Sequence, residues 1–175
     1  MTSDGAHVSH SPSSGGKSRA PHVARDGLVW RSATATDADV IAAAIEAWWE
    51  RHLQHFVHPL FLEHFGDTCL VVEDQGKLVA FLVGMFSQRY ADTAYVHFLG
   101  VHPDYRRLGL GRELYERFFA AVAPRTIVRA VTSTINERSV AFHRSLGFDV
   151  DRIDENYDGR GEPRVLLVKH LVERS

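Results

Sequence analysis

The residues from His97 to Arg112 read His-Phe-Leu-Gly-Val-His-Pro-Asp-Tyr-Arg-Arg-Leu-Gly-Leu-Gly-Arg, and their types suit the binding of an anion. Pro103 cannot continue a strand ladder, so an apolar run ending near Val101 gives way to a basic turn that feeds a helix beginning near Gly109. At a helix start several backbone N–H groups lack intrahelical acceptors, and the macrodipole favours negative charge there. Gly109 and Gly111 let a bulky phosphate approach the backbone, and Arg106, Arg107 and Arg112 add positive charge around the same spot. The segment lacks the Gly-Lys-Ser/Thr ending of a P-loop and the Gly-x-Gly-x-x-Gly spacing of a dinucleotide fold. The plain alternative is a loop whose arginines are merely solvated; the position between a strand and an amphipathic helix favours the anion site.

Other chemistry-bearing residues carry weaker signals. His52, His55, His58 and His64 recur near helical spacing among aromatics, yet no carboxylate motif completes a metal site, so no metal is expected and pocket lining or packing is the better reading. Cys69 lies in a β-rich run without an acid–base partner motif, which favours packing over nucleophilic catalysis. The acidic segment 154–163 could attract a cationic amine, although acidic turns are usually just solvated.

The elements that must position these residues follow from patterning. Residues 1–26, rich in Ser, Gly, His and Pro, cannot repay the entropy of ordering and read as a flexible leader; the folded domain is expected over 27–175. A short strand at 28–30 precedes a capping box of Thr36 and Asp39 and a first helix to about Trp49, with a broken helix or ordered loop over 50–65. Strands at 68–73 and 78–85 flank the turn Asp74-Gln75-Gly76-Lys77 as an antiparallel hairpin. A strand at 94–101, a helix at 112–122 ended by Pro124, a strand at 127–132, a helix at 139–146 ended by Gly147 and strands at 148–153 and 165–171 complete the chain. This order predicts one α/β domain around a mixed sheet of about seven strands.

Composition bounds the rest. The 175 residues carry 20 basic and 22 acidic side chains, a net charge of −2, which gives no global reason to bind nucleic acid or an anionic membrane. No apolar run approaches the roughly 20 residues of a membrane helix, and one cysteine cannot form an internal disulfide, so the cytoplasm is the expected compartment.

Residues 101–112 resemble the Arg/Gln-x-x-Gly-x-Gly/Ala acyl-CoA motif of the GNAT superfamily of N-acetyltransferases. Asn136-Glu-Arg-Ser-Val-Ala-Phe-His-Arg-Ser-Leu-Gly-Phe148 resembles that family's second motif, at matching spacing. The element order from Leu28 to Leu171 is similar to the whole GNAT fold. The resemblance implies a sheet whose central strands, 94–101 and 127–132, splay apart to admit acetyl-CoA as cosubstrate. It places the pyrophosphate on the backbone of Arg106, Arg107, Leu108, Gly109, Leu110, Gly111 and Arg112. It sets the pantetheine along Leu99, Gly100 and Val101, with an N–H near Leu99 or Gly100 polarising the thioester. It implies direct attack by a primary amine, of a small molecule or a protein; many members dimerise, so a homodimer is allowed. A non-catalytic acyl-CoA sensor and a longer-chain acyltransferase are the competing readings on the same fold.

This implied chemistry needs a neutral amine and a protonated leaving thiolate. Family members often use a tyrosine as the acid where this chain has His143, whose imidazolium can donate a proton; packing against the cofactor is the alternative. Asn136 and Ser139 could hydrogen-bond the cofactor, or Asn136 could simply cap its helix. In a regular strand Tyr95, His97, Leu99 and Val101 share one face and Ala94, Val96 and Phe98 the other, which turns Tyr95 and His97 to the cleft and makes His97 the first candidate base. Trp48, Trp49, Phe56, Phe61 and Phe65 form an aromatic region of the kind that borders the acceptor pocket in this family.

Overall fold

Seven strands form one mixed sheet in the computed structural model, which describes residues 25–49 and 57–171, in the order β1-β2-β3-β4-β5-β7-β6. The leader expected over 1–26 lies outside the described residues except for Arg25 and Asp26, and Arg25 pairs with Glu113. Strand β1 (Val29–Ser32) leads through a 3-10 turn at Ala35–Asp37 into α1 (Ala38–Trp49). A short α2 (Pro59–His64) precedes β2 (Leu70–Asp74), β3 (Lys77–Phe86) and β4 (Thr93–Val101). A 3-10 segment at Pro103–Leu108 then opens α3 (Leu110–Ala121), and β5 (Ile127–Ser133), α4 (Glu137–Ser145), β6 (Asp149–Asp154) and β7 (Arg164–His170) follow. All neighbouring strands pair antiparallel except β4 and β5, which run parallel.

The period-2 alternation of the strands separates two cores. Val72, Ala80 and Leu82 face a cluster containing Leu114, Tyr115 and Phe118 of α3, whereas Val71, Phe81 and Val83 face Ile41 and Ile45 of α1. The β2–β3 turn places Gln75 at φ 49° and Gly76 at φ 76°, the left-handed pair that matches the twist of a two-residue hairpin.

The cap of the first helical segment lies two residues upstream of the expected Thr36 and Asp39. Thr34 N–H donates to Asp37 Oδ2 at 2.7 Å, and Asp37 N–H donates to the Thr34 carbonyl at 2.9 Å. Asp37 serves there because Arg31 also grips it, with guanidinium donors 2.8 Å from both carboxylate oxygens, and this holds the Asp37 carboxyl down at about 2. That three-dimensional pairing, invisible in a local motif, selects which acidic residue caps. Likewise α3 and α4 each start two residues before the expected positions, at Leu110 and Glu137.

Candidate functional site

Strands β4 and β5 pair over four residues only, from Thr93 opposite Ile127 to Val96 opposite Ala130. His97 is then the extra residue of a bulge, because Val96 lies opposite Gly84 while Phe98 lies opposite Val83. Past the bulge β4 keeps β3 as its partner and β5 diverges. The extra residue reverses side-chain parity and corrects the expected grouping of faces. Leu99 and Val101 pack with Ala94 and Val96 toward α3, and Phe98 joins the α1 cluster. Tyr95 and His97 lie on the Phe98 side; the His97 ring is 4.2 Å from that of Phe98 and stacks on Phe61 of α2 at 5.9 Å.

Between the divergent strands lies a cavity of about 790 Å³. Leu99, Arg106, Trp48 and Trp49 line it together with Tyr95, His97 and Tyr115; Thr132 and Ser133 of β5 and Asn136, Ser139 and His143 of α4 line it as well. Gly100, Val101, Arg107, Leu108, Gly109, Leu110, Gly111 and Arg112 are not in that lining. Leu110 is fully buried in the core, and Gly100 lies against Phe81, whose ring a Cβ would meet at 2.5 Å.

The turn that follows β4 is held from several sides. The His102 Nδ1 accepts from Asp104 N–H at 3.3 Å, and the Tyr105 hydroxyl donates to Asp74 at 2.6 Å, a bond that pushes the Tyr105 phenol up to about 12. Gly109 takes φ +74° with open space where a side chain would project, so α3 starts from a left-handed residue facing an empty approach. Gly111 serves a different purpose: a Cβ there would lie 3.2 Å from the Phe142 ring, and its absence lets α3 and α4 approach. The arginines also diverge. Arg106 donates to the Val101 carbonyl at 3.3 Å beside the cavity, whereas Arg112 reaches across to the Ser145 carbonyl of α4 at 3.1 Å.

On α4, Asn136 caps the helix by accepting from Ser139 N–H at 3.1 Å. His143 is buried at 8% exposure, and both ring nitrogens are engaged. Nδ1 lies 2.7 Å from the Ser139 carbonyl, which can only accept, so Nδ1 carries the hydrogen. Nε2 therefore accepts from the Tyr115 hydroxyl at 2.7 Å. Burial pushes the imidazole below its usual range and the Tyr115 phenol far above its own, so the resting pair is a neutral imidazole and a neutral phenol. Tyr115 stands outside both sequence motifs and was not among the expected site residues. Its signal was a hydroxyl within the apolar stripe Leu110, Leu114, Tyr115 and Phe118, since a buried phenol needs a partner.

A second cavity of about 810 Å³ shares Tyr95, Ala130, Val131 and Tyr157 with the first, and is lined further by Phe65, Arg89, Tyr90, Arg129 and Arg152. Burial and a hydrogen bond with Tyr157 raise the Tyr95 phenol well above its usual range. Tyr157 comes from the β6–β7 connection, which the sequence marked for its carboxylates, as a lure for a cationic amine or a solvated acidic turn, and not for its tyrosine. Of the aromatic region, Trp48 and Trp49 reach the first cavity and Phe65 the second, while Phe56, like His52 and His55, lies outside the described residues. His58 caps α2 by accepting from Leu60 N–H, and no group of three metal-ligating side chains gathers among the described residues. Cys69 is fully buried against the Gly84 carbonyl, and burial pushes its thiol up to about 11. Among the described residues no helix is long and apolar enough to cross a membrane.

Residues 34–148 match the sequence profile of the Acetyltransferase (GNAT) family. The L-2,4-diaminobutyric acid acetyltransferase of Shouchella clausii is 30% identical over 89 residues, 50% of each chain. The ribosomal protein bS18-alanine N-acetyltransferase of Escherichia coli K12 is 32% identical over 99 residues, 53% of this chain and 65% of that one. The alignments thus span between half and just under two thirds of the length of these relatives. Among solved structures, Ard1 from Thermoplasma volcanium superposes with a TM-score of 0.73 at 18% identity, covering 84% of this chain and 99% of that one. The diaminobutyrate acetyltransferase EctA from Paenibacillus lautus, in complex with its substrate L-2,4-diaminobutyric acid and coenzyme A, superposes with a TM-score of 0.64 at 20% identity, covering 80% and 93%.

Proposed function

From its membership of the GNAT acetyltransferase family, to which the chain belongs, we propose that this protein transfers an acetyl group from acetyl-CoA to a primary amine by direct attack. The observation that carries the reading is the four-residue limit of the β4–β5 pairing, beyond which lies a cavity of about 790 Å³ that Arg106, in the turn before α3, helps to line. The residues present fit the cosubstrate: Gly109 leaves open space at the start of α3, and Arg106, three residues before it, brings a cation to the cavity between the strands. Backbone N–H groups from Arg106 to Arg112 hold the pyrophosphate, and Leu99 to Val101 offer the edge of β4 that β5 has left to the pantetheine. Asn136 and Ser139 supply polar contacts from α4. Acetyl-CoA brings the thioester carbonyl that the amine attacks and the thiolate that leaves.

The amine enters from the second cavity, which meets the first at Tyr95 and Tyr157. His97, beside that junction, takes the proton that an incoming ammonium must lose, directly or through water, and Tyr95 orients the amine. His143 is the group through which the departing thiolate is protonated. The diaminobutyrate and bS18 relatives frame the acceptor as a small amino acid or a protein amine. The cytoplasm is the compartment we assign, on the strength of the single free cysteine.

Release of free CoA from acetyl-CoA across a panel of primary amines, including diaminobutyrate and peptides with free N-termini, tests the reading. Amine-dependent CoA release with an acetylated product is expected. Tight acetyl-CoA binding with no turnover on any amine would instead favour a sensor, and no thermal stabilisation by CoA or acetyl-CoA would remove the cosubstrate itself.

A further inference from the structure

We propose that Tyr115 and His143 form a two-member proton relay in which the Tyr115 hydroxyl faces the reacting atoms and His143 acts through it as a proton store; this rests on the acetyl-transfer reading above. Three observations carry it. Both side chains line the cavity between β4 and β5. The Ser139 carbonyl, 2.7 Å from Nδ1, fixes the tautomer, so Nε2 has a free lone pair aimed at the Tyr115 hydroxyl 2.7 Å away. The pair packs against the rings of Phe119, Phe142 and Phe148, and Tyr95 is the neighbouring titratable group that adds to the effect of burial on the Tyr115 phenol.

This geometry rules out the resting imidazole as a direct donor, since its one N–H is spent on Ser139 and its other nitrogen accepts. It permits a transfer that balances within the site. A primary ammonium must lose two protons on its way to an amide. The first goes to His97 or solvent before attack. As the C–N bond forms, the second passes from nitrogen to the Tyr115 oxygen while the Tyr115 proton moves to Nε2. The resulting imidazolium is held by the Ser139 carbonyl, whose acceptor bond to Nδ1–H strengthens when the ring becomes positive. As the C–S bond breaks with its electron pair on sulfur, the Nε2 proton returns to the Tyr115 oxygen and the phenol proton is delivered to sulfur. One N–H and one C–S bond are lost, and one C–N and one S–H bond are made, with no outside acid. The depressed basicity of the buried imidazole suits this task, because a ring that holds the proton weakly gives it back.

The test begins with the free protein. Nitrogen-15 NMR of the histidine rings is expected to show His143 as the neutral Nδ1–H tautomer near neutral pH, with an Nε2 resonance that shifts in Y115F; an Nε2–H tautomer overturns the relay. Turnover follows, in variants whose CoA-induced thermal shift reports an intact cofactor site. Y115F and H143Q should each lower single-turnover acetyl transfer by roughly 100-fold with little change in KM for acetyl-CoA, and the double variant should lose no more than either alone. Glutamine can accept the Tyr115 hydrogen bond but cannot carry the proton, so full activity in H143Q would reduce His143 to a structural partner and overturn the proposal. If either variant folds poorly, wild-type rates in mixtures of light and heavy water decide: a curved dependence on deuterium content is expected for two protons in flight, and a linear one overturns the relay. Amine acetylation by the wild type with Y115F equally fast defeats the relay alone; no acetylation by the wild type on any amine defeats the acetyl-transfer reading and the relay with it.

Discussion

The start of α3 and the Tyr115–His143 pair, the two regions assigned above to binding and to chemistry, are built in opposite ways. The first is a contiguous run after β4, and the groups we assign to the anion are backbone N–H donors at a helix start set by Gly109 at φ +74°. The second joins residues 28 positions apart, on α3 and α4, and works through side chains whose rings are buried in the core. A backbone site tolerates many side chains and fails when its space is filled, whereas a side-chain site fails when one atom is removed. Binding should therefore be governed by the first region and turnover by the second.

The variant expected to act most strongly is Gly109→Trp, which fills the approach to the helix start and forces a bulky residue into a left-handed conformation. It should weaken CoA binding by at least about 100-fold in titration calorimetry, and retained affinity would remove the pyrophosphate from this turn. His143→Phe probes the other region. It keeps the ring and leaves the Tyr115 hydroxyl without its acceptor, so kcat should fall by tens of fold or roughly 100-fold while CoA affinity holds; a loss of affinity in place of turnover would erase the contrast between the regions.

Smaller effects separate residues within each region. Arg106→Ala should raise KM for acetyl-CoA about tenfold, and Arg112→Ala clearly less, because Arg106 lines the cavity whereas Arg112 lies outside it and reaches to the Ser145 carbonyl; equal effects would mean that Arg112 lets go of α4 to meet the anion. His97→Ala should flatten the limb of the pH–rate profile that rises with pH and cost about tenfold at its plateau, and an unaltered limb would exclude His97 as the base.

The smallest effect on binding and turnover is expected away from both regions, where a substitution acts on stability alone. Arg31 holds the Asp37 carboxyl at about 2 in the folded state, below its ordinary value near 3.8, so its stabilisation is complete above about pH 4 and is lost as pH falls through about 2. Asp37→Asn should remove about 2 kcal/mol at neutral pH and flatten the stability profile across that acid window, with CoA affinity unchanged.

The fold was largely legible because strand and helix periodicities report which face is buried. All seven strands, the β2–β3 hairpin and the α3 and α4 helices fall within a few residues of their expected positions. The family resemblance added the splay of β4 from β5. The errors have a common origin in long-range pairing. Arg31 chose Asp37 over Asp39 as the cap, and a single extra residue at His97 moved Leu99 and Val101 to the opposite face from Tyr95. Tyr157 was hidden in an acidic loop because only the closure of β6 and β7 brings it to Tyr95.

By itself the sequence determined the element order, the mixed sheet and the glycine-containing basic turn that opens α3, since these depend on local periodicity and on proline and glycine placement. Only the tertiary structure decided which side of β4 each residue faces, that Gly111 serves helix packing, and that His143 spends both nitrogens on Ser139 and Tyr115. The physical reason is that a hydrogen-bond partner is a matter of distance and direction in space. Two residues on separate helices have no such relation until the core that buries them has formed.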